Sequence, residues 1–524
     1  MKCSRSSQCF TIVILLFGVY LLAFSRCGTL RSAKRIYQKN IMMLKQTPST
    51  DQNTSNSENI YLRTAVVINL PEGGVGVRVT TLQECGNKRN IQLRIGDLHI
   101  KLLKTTVHKK CPWSFAPRCN LVGYFATGII TSTANQTVPL PSVLPELVEV
   151  YDDRQDEWKY VDLVDGRSTA KKMHRLAVCL QPVYLMADWP LIPNFFETWI
   201  GNGATIFYVY VHSISEEVDL MLKLYEDQYD IEVARVDWPT VPTEDVGADD
   251  DLNPNNRMYR TEVATAVNDC LLRARSTAEL AVSSDMDEII TPMNLKGKNE
   301  TLFNIIDDYR NRKLKNGAVP GAFLFRHSYA YVENNWFSIA HPSDLSFHYY
   351  RNVSYEQKVW ARGYRSKVVV YVPDRVFRGH VHDTVSFERK QWATVVIDPN
   401  RARVLHFRQI ASPAMQRAKV VAGSVVLREA AARWQAEYTK RVDTAVEQAE
   451  NGMPLKGAFD LSFASLAWPN LGEQVLKEIE QCREENYKIR KDKCVTEQRC
   501  RSTMQTVQPD QWVEPDSAET WVVI

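Results

Sequence analysis

From Lys172 onward the chain alternates short, wholly apolar runs with amphipathic ones, and this alternation constrains the fold more than any other feature. "RLAVCLQPVYL" reads as a continuous apolar strand, after which Asp188 and Pro190 open a helix through "NFFETWI" that stops at Gly201 to Gly203. "TIFYVYV" (Thr205 to Val211) is the next strand. Ser213 and Glu216 then form a capping box before the helix "EVDLMLKLYED", and "IEVARV" returns as a third strand. Strands this apolar, separated by helices, must be covered on both faces, which implies an α/β architecture with a parallel sheet. An acidic, proline-containing loop (Asp237 to Asn256) follows, then a helix from about Tyr259 to Arg275, then Leu280, Ala281 and Val282 as the end of another buried strand.

That strand runs directly into "SSDMDEII" (Ser283 to Ile290). In open parallel sheets, ligands bind beyond the carboxyl ends of the strands. Residues i and i+2 of an extended segment point the same way, so Asp285 and Asp287 can share one target. Two facing carboxylates are best tolerated around a cation, and hard oxygen ligands suit Mn²⁺ or Mg²⁺, which keep open positions for phosphate oxygens. The bare pattern is common, and "ADDD" at Ala248 to Asp251 contains another copy, so a solvated acidic loop is the plain alternative. A calcium-binding EF-hand loop is excluded, because that loop needs glycine at its sixth position and Ile290 stands there. Histidine is a common third ligand, and "FRGHVHDTV" and "RVLHFRQI" supply His380, His382 and His406 beside apolar β-type runs.

Upstream the pattern differs. From Tyr61 to about Asp165 the chain reads as short β-type runs, clearest where Ile91, Leu93 and Ile95 alternate, Gly96 and Asp97 turn, and Leu98, Ile100 and Leu102 alternate again. This region, residues 61–165, is expected to be a small all-β accessory domain. Further back, Lys2 and Arg5 precede "FTIVILLFGVYLLAF" (Phe10 to Phe24), a membrane-targeting segment. We read residues 10–25 as a single retained anchor behind a cytoplasmic tail of residues 1–9, with a removed signal peptide as the alternative. The polar stretch through "KQTPSTDQNTSNSEN" (residues 26–60 overall) is expected to be a stem.

Eight cysteines (Cys85, Cys111, Cys119, Cys179, Cys270, Cys482, Cys494 and Cys500) and the Asn-x-Ser/Thr triplets at Asn53, Asn135, Asn299 and Asn352 all follow the apolar segment. They favour an oxidising, luminal setting for the body of the protein. A net charge of +3, from 64 basic and 61 acidic residues, gives no electrostatic reason to expect nucleic acid.

The ordered blocks "LAVCLQPVYL", "FFETWIGNGATIFYVYVHSIS", "AVNDCLLRAR", "SSDMDEIITP", "VPDRVFRGHVHD" and "VLHFR", spanning Arg175 to Arg408, resemble glycosyltransferase family 92. The resemblance implies a glycosyltransferase-A catalytic domain, placed at residues 172–412, in a type II Golgi membrane protein. It also implies an inverting, metal-dependent transfer of galactose from UDP-galactose to a glycan acceptor in β linkage. Carried onto this sequence, Asp285 and Asp287 take the metal-binding role, and His382 is the best match to the late histidine that completes such sites, with His406 second. Asp188 falls where this fold often contacts the uridine, and Arg362, Arg365 and Lys367 are candidates for the diphosphate.

An inverting transfer needs a general base for the acceptor hydroxyl. Glu333, Asp344 and Asp383 lie in the right interval, and Asp344 is the residue selected. The aromatic residues Tyr329, Tyr331, Trp336, Phe337, Tyr349, Tyr350 and Trp360 are divided between acceptor stacking and core. Residues 413–524 read as a helical, disulfide-stapled tail without legible chemistry. The competing function is a non-catalytic glycan-binding or scaffold protein with a degenerate transferase fold. Glycoside hydrolysis fits less well, because its two carboxylates must flank a bond from opposite sides.

Overall fold

The computed structural model describes Glu58–Ile524 apart from residues 132–143, 170, 244–246, 248–249, 294–299, 313, 315–316, 333–337, 361–366, 408–419, 423, 453–467, 491–493 and 495–496. The apolar segment Phe10 to Phe24 and the triplets at Asn53, Asn135 and Asn299 lie outside the described residues, while Asn352 is exposed. Among the described residues no helix is long and apolar enough to cross a membrane. Asn56–Ile524 forms one compact unit.

The β-type runs close on themselves. β1 (Ile60–Asn69), β2 (Val75–Glu84), β3 (Ile91–Ile95), β4 (Leu98–Thr106), β5 (Leu121–Thr131), β6 (Leu147–Asp152) and β7 (Glu157–Asp165) pair in the order β2-β5-β4-β3-β6-β7-β1, and β1 also pairs β2, giving a closed seven-stranded barrel. Alternation drives the closure: Ile91, Leu93, Ile100 and Leu102 point into one interior with Val77, Val79, Val148 and Val150. The expected hairpin forms, with Ile95 opposite Leu98 and Gly96 at a positive φ of 58° that a side chain would strain.

The α/β region begins with β8 (His174–Val183), α1 (Leu191–Gly201), β9 (Ile206–Val211), α2 (Glu216–Glu226), β10 (Glu232–Asp237), α3 (Val263–Thr277) and β11 (Ala278–Ser284). β10, β9, β8 and β11 are parallel neighbours in that order. The cap of α2 is Ser215, whose hydroxyl accepts from Val218 N, rather than the expected Ser213. Ser213 is two residues too early and instead accepts a hydrogen bond from Leu185 N at 2.8 Å, which ties the ends of β8 and β9 together.

The sheet is not parallel throughout, as the apolar runs alone suggested. After β12 (Glu288–Pro292), α4 (Leu302–Arg310), β13 (Val319–Tyr331) and β14 (Ser354–Glu356), the strand β15 (Lys367–Tyr371) pairs antiparallel with both β11 and β13. β16 (Val376–His380) and β17 (Asp383–Phe387) form a hairpin, and β18 (Trp392–Val396) and β19 (Ala402–Phe407) pair parallel with β13. β20 (Val420–Ala422) pairs β14. Helix α5 (Val425–Glu450) places Trp434 and Tyr438 in the core formed by α1, α2 and the sheet, so it belongs to the same packed unit.

Barrel and sheet meet across α3. Asp269, on its buried face, accepts from Thr80 of β2 (3.1 Å), Tyr210 of β9 (2.6 Å) and Arg273 (2.7 Å). The eight cysteines that follow the apolar segment from Cys85 onward are all paired, as Cys85–Cys111, Cys119–Cys494, Cys179–Cys270 and Cys482–Cys500. The C-terminal segment, with α6 (Gly472–Arg490), is drawn back in two ways. Cys494 is bonded to the barrel, and β21 (Val522–Val523) pairs Tyr61 and Leu62 of β1.

Candidate active site

In the order β10-β9-β8-β11 the chain turns back between β8 and β11, and the two strands end side by side. Such a reversal leaves a crevice beyond the carboxyl ends. Asp188 follows β8, and Asp285 with Asp287 follow β11, so both sequence-selected groups border this crevice.

The acidic motif is held by backbone. Phe407 N donates to Asp287 O at 2.8 Å, and Ser284 Oγ donates to Asp285 O and Glu288 O. Glu288 lies opposite His406 in the β12–β19 ladder, which delivers that histidine to the motif: His406 Nε2 stands 2.9 Å from Asp287 Oδ2 and Nδ1 3.8 Å from Glu288 Oε1. Burial and then repulsion from Asp287 raise the Asp285 carboxyl above its ordinary range, partly relieved by His382 and His406. Burial, then Asp285, push Glu288 up to about 8. Burial works against charge on His406, yet Asp287 and the neighbouring carboxylates carry it up to about 9. Crowding that raises the proton affinity of Asp285 and Glu288 marks a site that a cation would relieve.

Of the three histidines singled out, His382 therefore acts on Asp285 and His406 contacts Asp287, while His380 packs against Trp113 and His108. Burial, then His108, push His380 down to about 3. Among the described residues no group of three or more His, Cys, Asp or Glu side chains stands arranged to cage a metal ion. The donor set fits an ion held by one or two carboxylates and completed by phosphate oxygens, the usual habit of Mg²⁺, better than an all-protein site.

Asp188 is buried and accepts from Asn470 Nδ2 at 3.1 Å. Gly472 at the start of α6 packs so closely that a Cβ there would lie 2.4 Å from Asp188 Cβ. Beside it a cleft of ≈ 250 Å³ is lined by Tyr184, Met186, Asp188, Met286 from the acidic motif, and Leu476, Ile479 and Arg483 from α6. The tail in which the sequence showed no chemistry thus forms one wall of the crevice. No local signal marks it, because α6 reaches the site only through the long-range Cys119–Cys494 pairing and its own packing.

Asp344 is exposed on a one-turn helix, Pro342–Asp344, whose Pro342 carbonyl accepts from Tyr438 of α5. Among the described residues no hydrogen bond or ion pair joins it to Asp285, Asp287 or His406. Asp383, by contrast, directly follows His382 and lies 3.5 Å from Lys109 of the barrel. Glu333, Trp336, Phe337, Arg362 and Arg365 lie outside the described residues, as does the side chain of Lys367 at the start of β15. Tyr329 and Tyr350 are core residues, whereas Tyr331, Tyr349 and Trp360 keep partial exposure.

The family model for glycosyltransferase family 92 matches residues 174–451, which includes Asp188, the acidic motif, His380, His382, His406 and α5 but neither the barrel nor α6. Two Caenorhabditis elegans relatives, glycosyltransferase family 92 proteins F59C6.8 and F13G3.3, are 28% identical over 25% of this chain and 21% identical over 45% of it. The chain spans 24% and 42% of their lengths in these matches. Among solved structures, the mannosyltransferase PcManGT from Pyrobaculum calidifontis in complex with GDP-Man and Mn²⁺ is 12% identical, with 55% of this chain and 78% of that chain covered at a TM-score of 0.23. HddC from Yersinia pseudotuberculosis is 9% identical, with 51% and 100% covered at a TM-score of 0.20. At such scores these two likenesses carry no argument. The family match spans more than half of the chain and encloses the acidic motif with both of its histidines, and the protein belongs to glycosyltransferase family 92.

Proposed function

We propose that this glycosyltransferase moves galactose from UDP-galactose to a glycan acceptor, in β linkage with inversion, using Mn²⁺ or Mg²⁺ at Asp285 and Asp287. The observation that carries this reading is the half-buried carboxylate pair at the strand-order reversal, where Asp287 repels charge on Asp285, next to a cleft that Asp188 borders. A divalent ion bound there would neutralise the diphosphate as its bond to the sugar breaks. Asp287 is oriented by His406, and Asp285 lies under the influence of His382, so the two histidines set the geometry and charge of the pair. Met286 and α6 offer an apolar wall to the nucleotide, and Asp188 an acceptor for its polar edge. Lys367 stands at the start of β15, next to β11, as a candidate for the diphosphate.

For the acceptor proton, Asp383 has the better position. It adjoins His382 and is half exposed beside Lys109, within reach of an acceptor hydroxyl, whereas Asp344 sits on a separate turn. Residence in the Golgi membrane as a single-pass type II protein, with this unit in the lumen, is supported by the apolar segment, the paired cysteines and the exposed Asn352 triplet.

The test is a donor screen on the chain from Lys45 onward, with UDP-galactose, UDP-glucose, UDP-N-acetylglucosamine and GDP-sugars in Mn²⁺ and in EDTA. Metal-dependent turnover of UDP-galactose is the expected result. Absence of nucleotide binding with metal present would leave the non-catalytic scaffold reading in its place.

A further inference from the structure

The loop between β4 and β5 leaves the barrel and crosses to the sheet. It carries Trp113 and Phe115, whose rings lie 5.0 Å apart, and Tyr259 from the segment before α3 meets both, at 5.2 and 5.5 Å. His380 closes the group at 5.0 Å from Trp113. Trp113, Phe115 and Tyr259 remain half-buried, and the rim around them is polar, with Lys109, Ser114, Arg260 and Asp383 exposed. His380 Nε2, buried against the same rings, has no hydrogen-bond partner among the described residues.

This group adjoins the carboxylate pair. Arg260 lies 5.5 Å over the Tyr259 ring, and it acts on Asp285 together with His382, two residues along from His380. Lys109, four residues before Trp113, reaches Asp383. The arrangement is also braced. Cys111 and Cys119 bracket the loop and are bonded to Cys85 and Cys494. Beneath it, Glu262 holds a left-handed φ of 51° while it receives Gly123 N and Thr265 Oγ1 and stands 3.2 Å from His108 Nε2. Non-glycine residues in that conformation persist only where the surroundings over-determine them, and they concentrate at functional sites.

We propose that this barrel loop is the acceptor platform: Trp113, Phe115 and Tyr259 receive the apolar C–H face of a sugar ring, and His380 Nε2 with the polar rim takes its hydroxyls. Half-exposed rings with a polar margin bind such amphipathic ligands, and pre-bracing removes most of the ordering cost. The platform rests on the transferase reading for its role in turnover, but its binding is measurable without turnover. Because the loop lies outside residues 174–451, it is also where this chain can differ in acceptor from others of its family.

The experiment is binding of the full chain, without nucleotide, to an immobilised panel of N-glycans, competed with methyl glycosides of galactose, mannose and N-acetylglucosamine. Trp113→Ala is expected to weaken binding roughly tenfold or more, and Trp113→Tyr, which keeps a ring, to recover most of it. Equal loss in both variants, unchanged binding by Trp113→Ala, or no binding by the wild type would each overturn the platform. Ring-dependent glycan binding by a wild type that turns over no donor would uphold the platform and sink the transferase reading. Donor turnover without glycan binding would do the reverse.

Discussion

The barrel and the open sheet draw on the same stock of Val, Ile and Leu, yet one closes and the other stops at an edge of charge. In the barrel, β1 pairs β2 on one side and β7 on the other, and the interior is filled by alternate apolar residues. In the sheet, the parallel strands β8 and β11 end side by side, and Asp285, Asp287, Glu288 and His406 gather beyond that edge. Closure spends its residues on stability. The open end pushes Asp285, Glu288 and His406 above their ordinary titration ranges, the usual mark of a reacting centre.

The sharpest break of that contrast is at the motif itself. Asp285→Asn or Asp287→Asn should reduce transfer on the order of 10³-fold or more while secretion and unfolding midpoint stay near wild type. Turnover near wild type in both would remove the metal assignment. The barrel should respond oppositely. Leu93, fully buried there, should cost about 2–5 kcal/mol on truncation to alanine, read by denaturant unfolding, with the folded fraction still active.

A pH difference should also separate the regions. Burial, then repulsion from Arg501, push His212, just beyond β9, down to about 4. A histidine depressed in the folded state contributes stability that is fully present above its unfolded pKa of about 6.5 and is lost as pH falls toward 4. Lowering pH from 7 to 5 should therefore cost about 2 kcal/mol at this residue, and His212→Gln should flatten the slope. An unchanged slope would reassign the acid sensitivity to other groups. The smallest effect is expected at the α2 cap, where Ser215→Ala removes the hydroxyl acceptor for Val218 N and should cost about 1 kcal/mol without altering turnover.

Much of this was legible in order along the chain. The period-2 alternation around Gly96 and Asp97 dictates a hairpin because only one face can meet a core, and the apolar runs near Leu176, Phe207 and Leu280 dictate strands covered on both sides. The i, i+2 aspartates after a buried strand announce a shared target. Periodicity, however, carries no information on partners distant in sequence. The antiparallel β15, inserted between β11 and β13, reads like any other apolar run. Ser213 and Ser215 offer the same hydroxyl, and only backbone geometry decides which one caps α2.

By itself, then, the sequence determined the strands, the acidic motif and the family, since these follow from local pattern and ordered blocks. Tertiary structure alone decided that His406 contacts Asp287 while His380 joins the rings, that the seven strands close, and that α6 lines the cleft beside Asp188. Those outcomes depend on packing and pairing between residues tens to hundreds of positions apart, which no local period encodes.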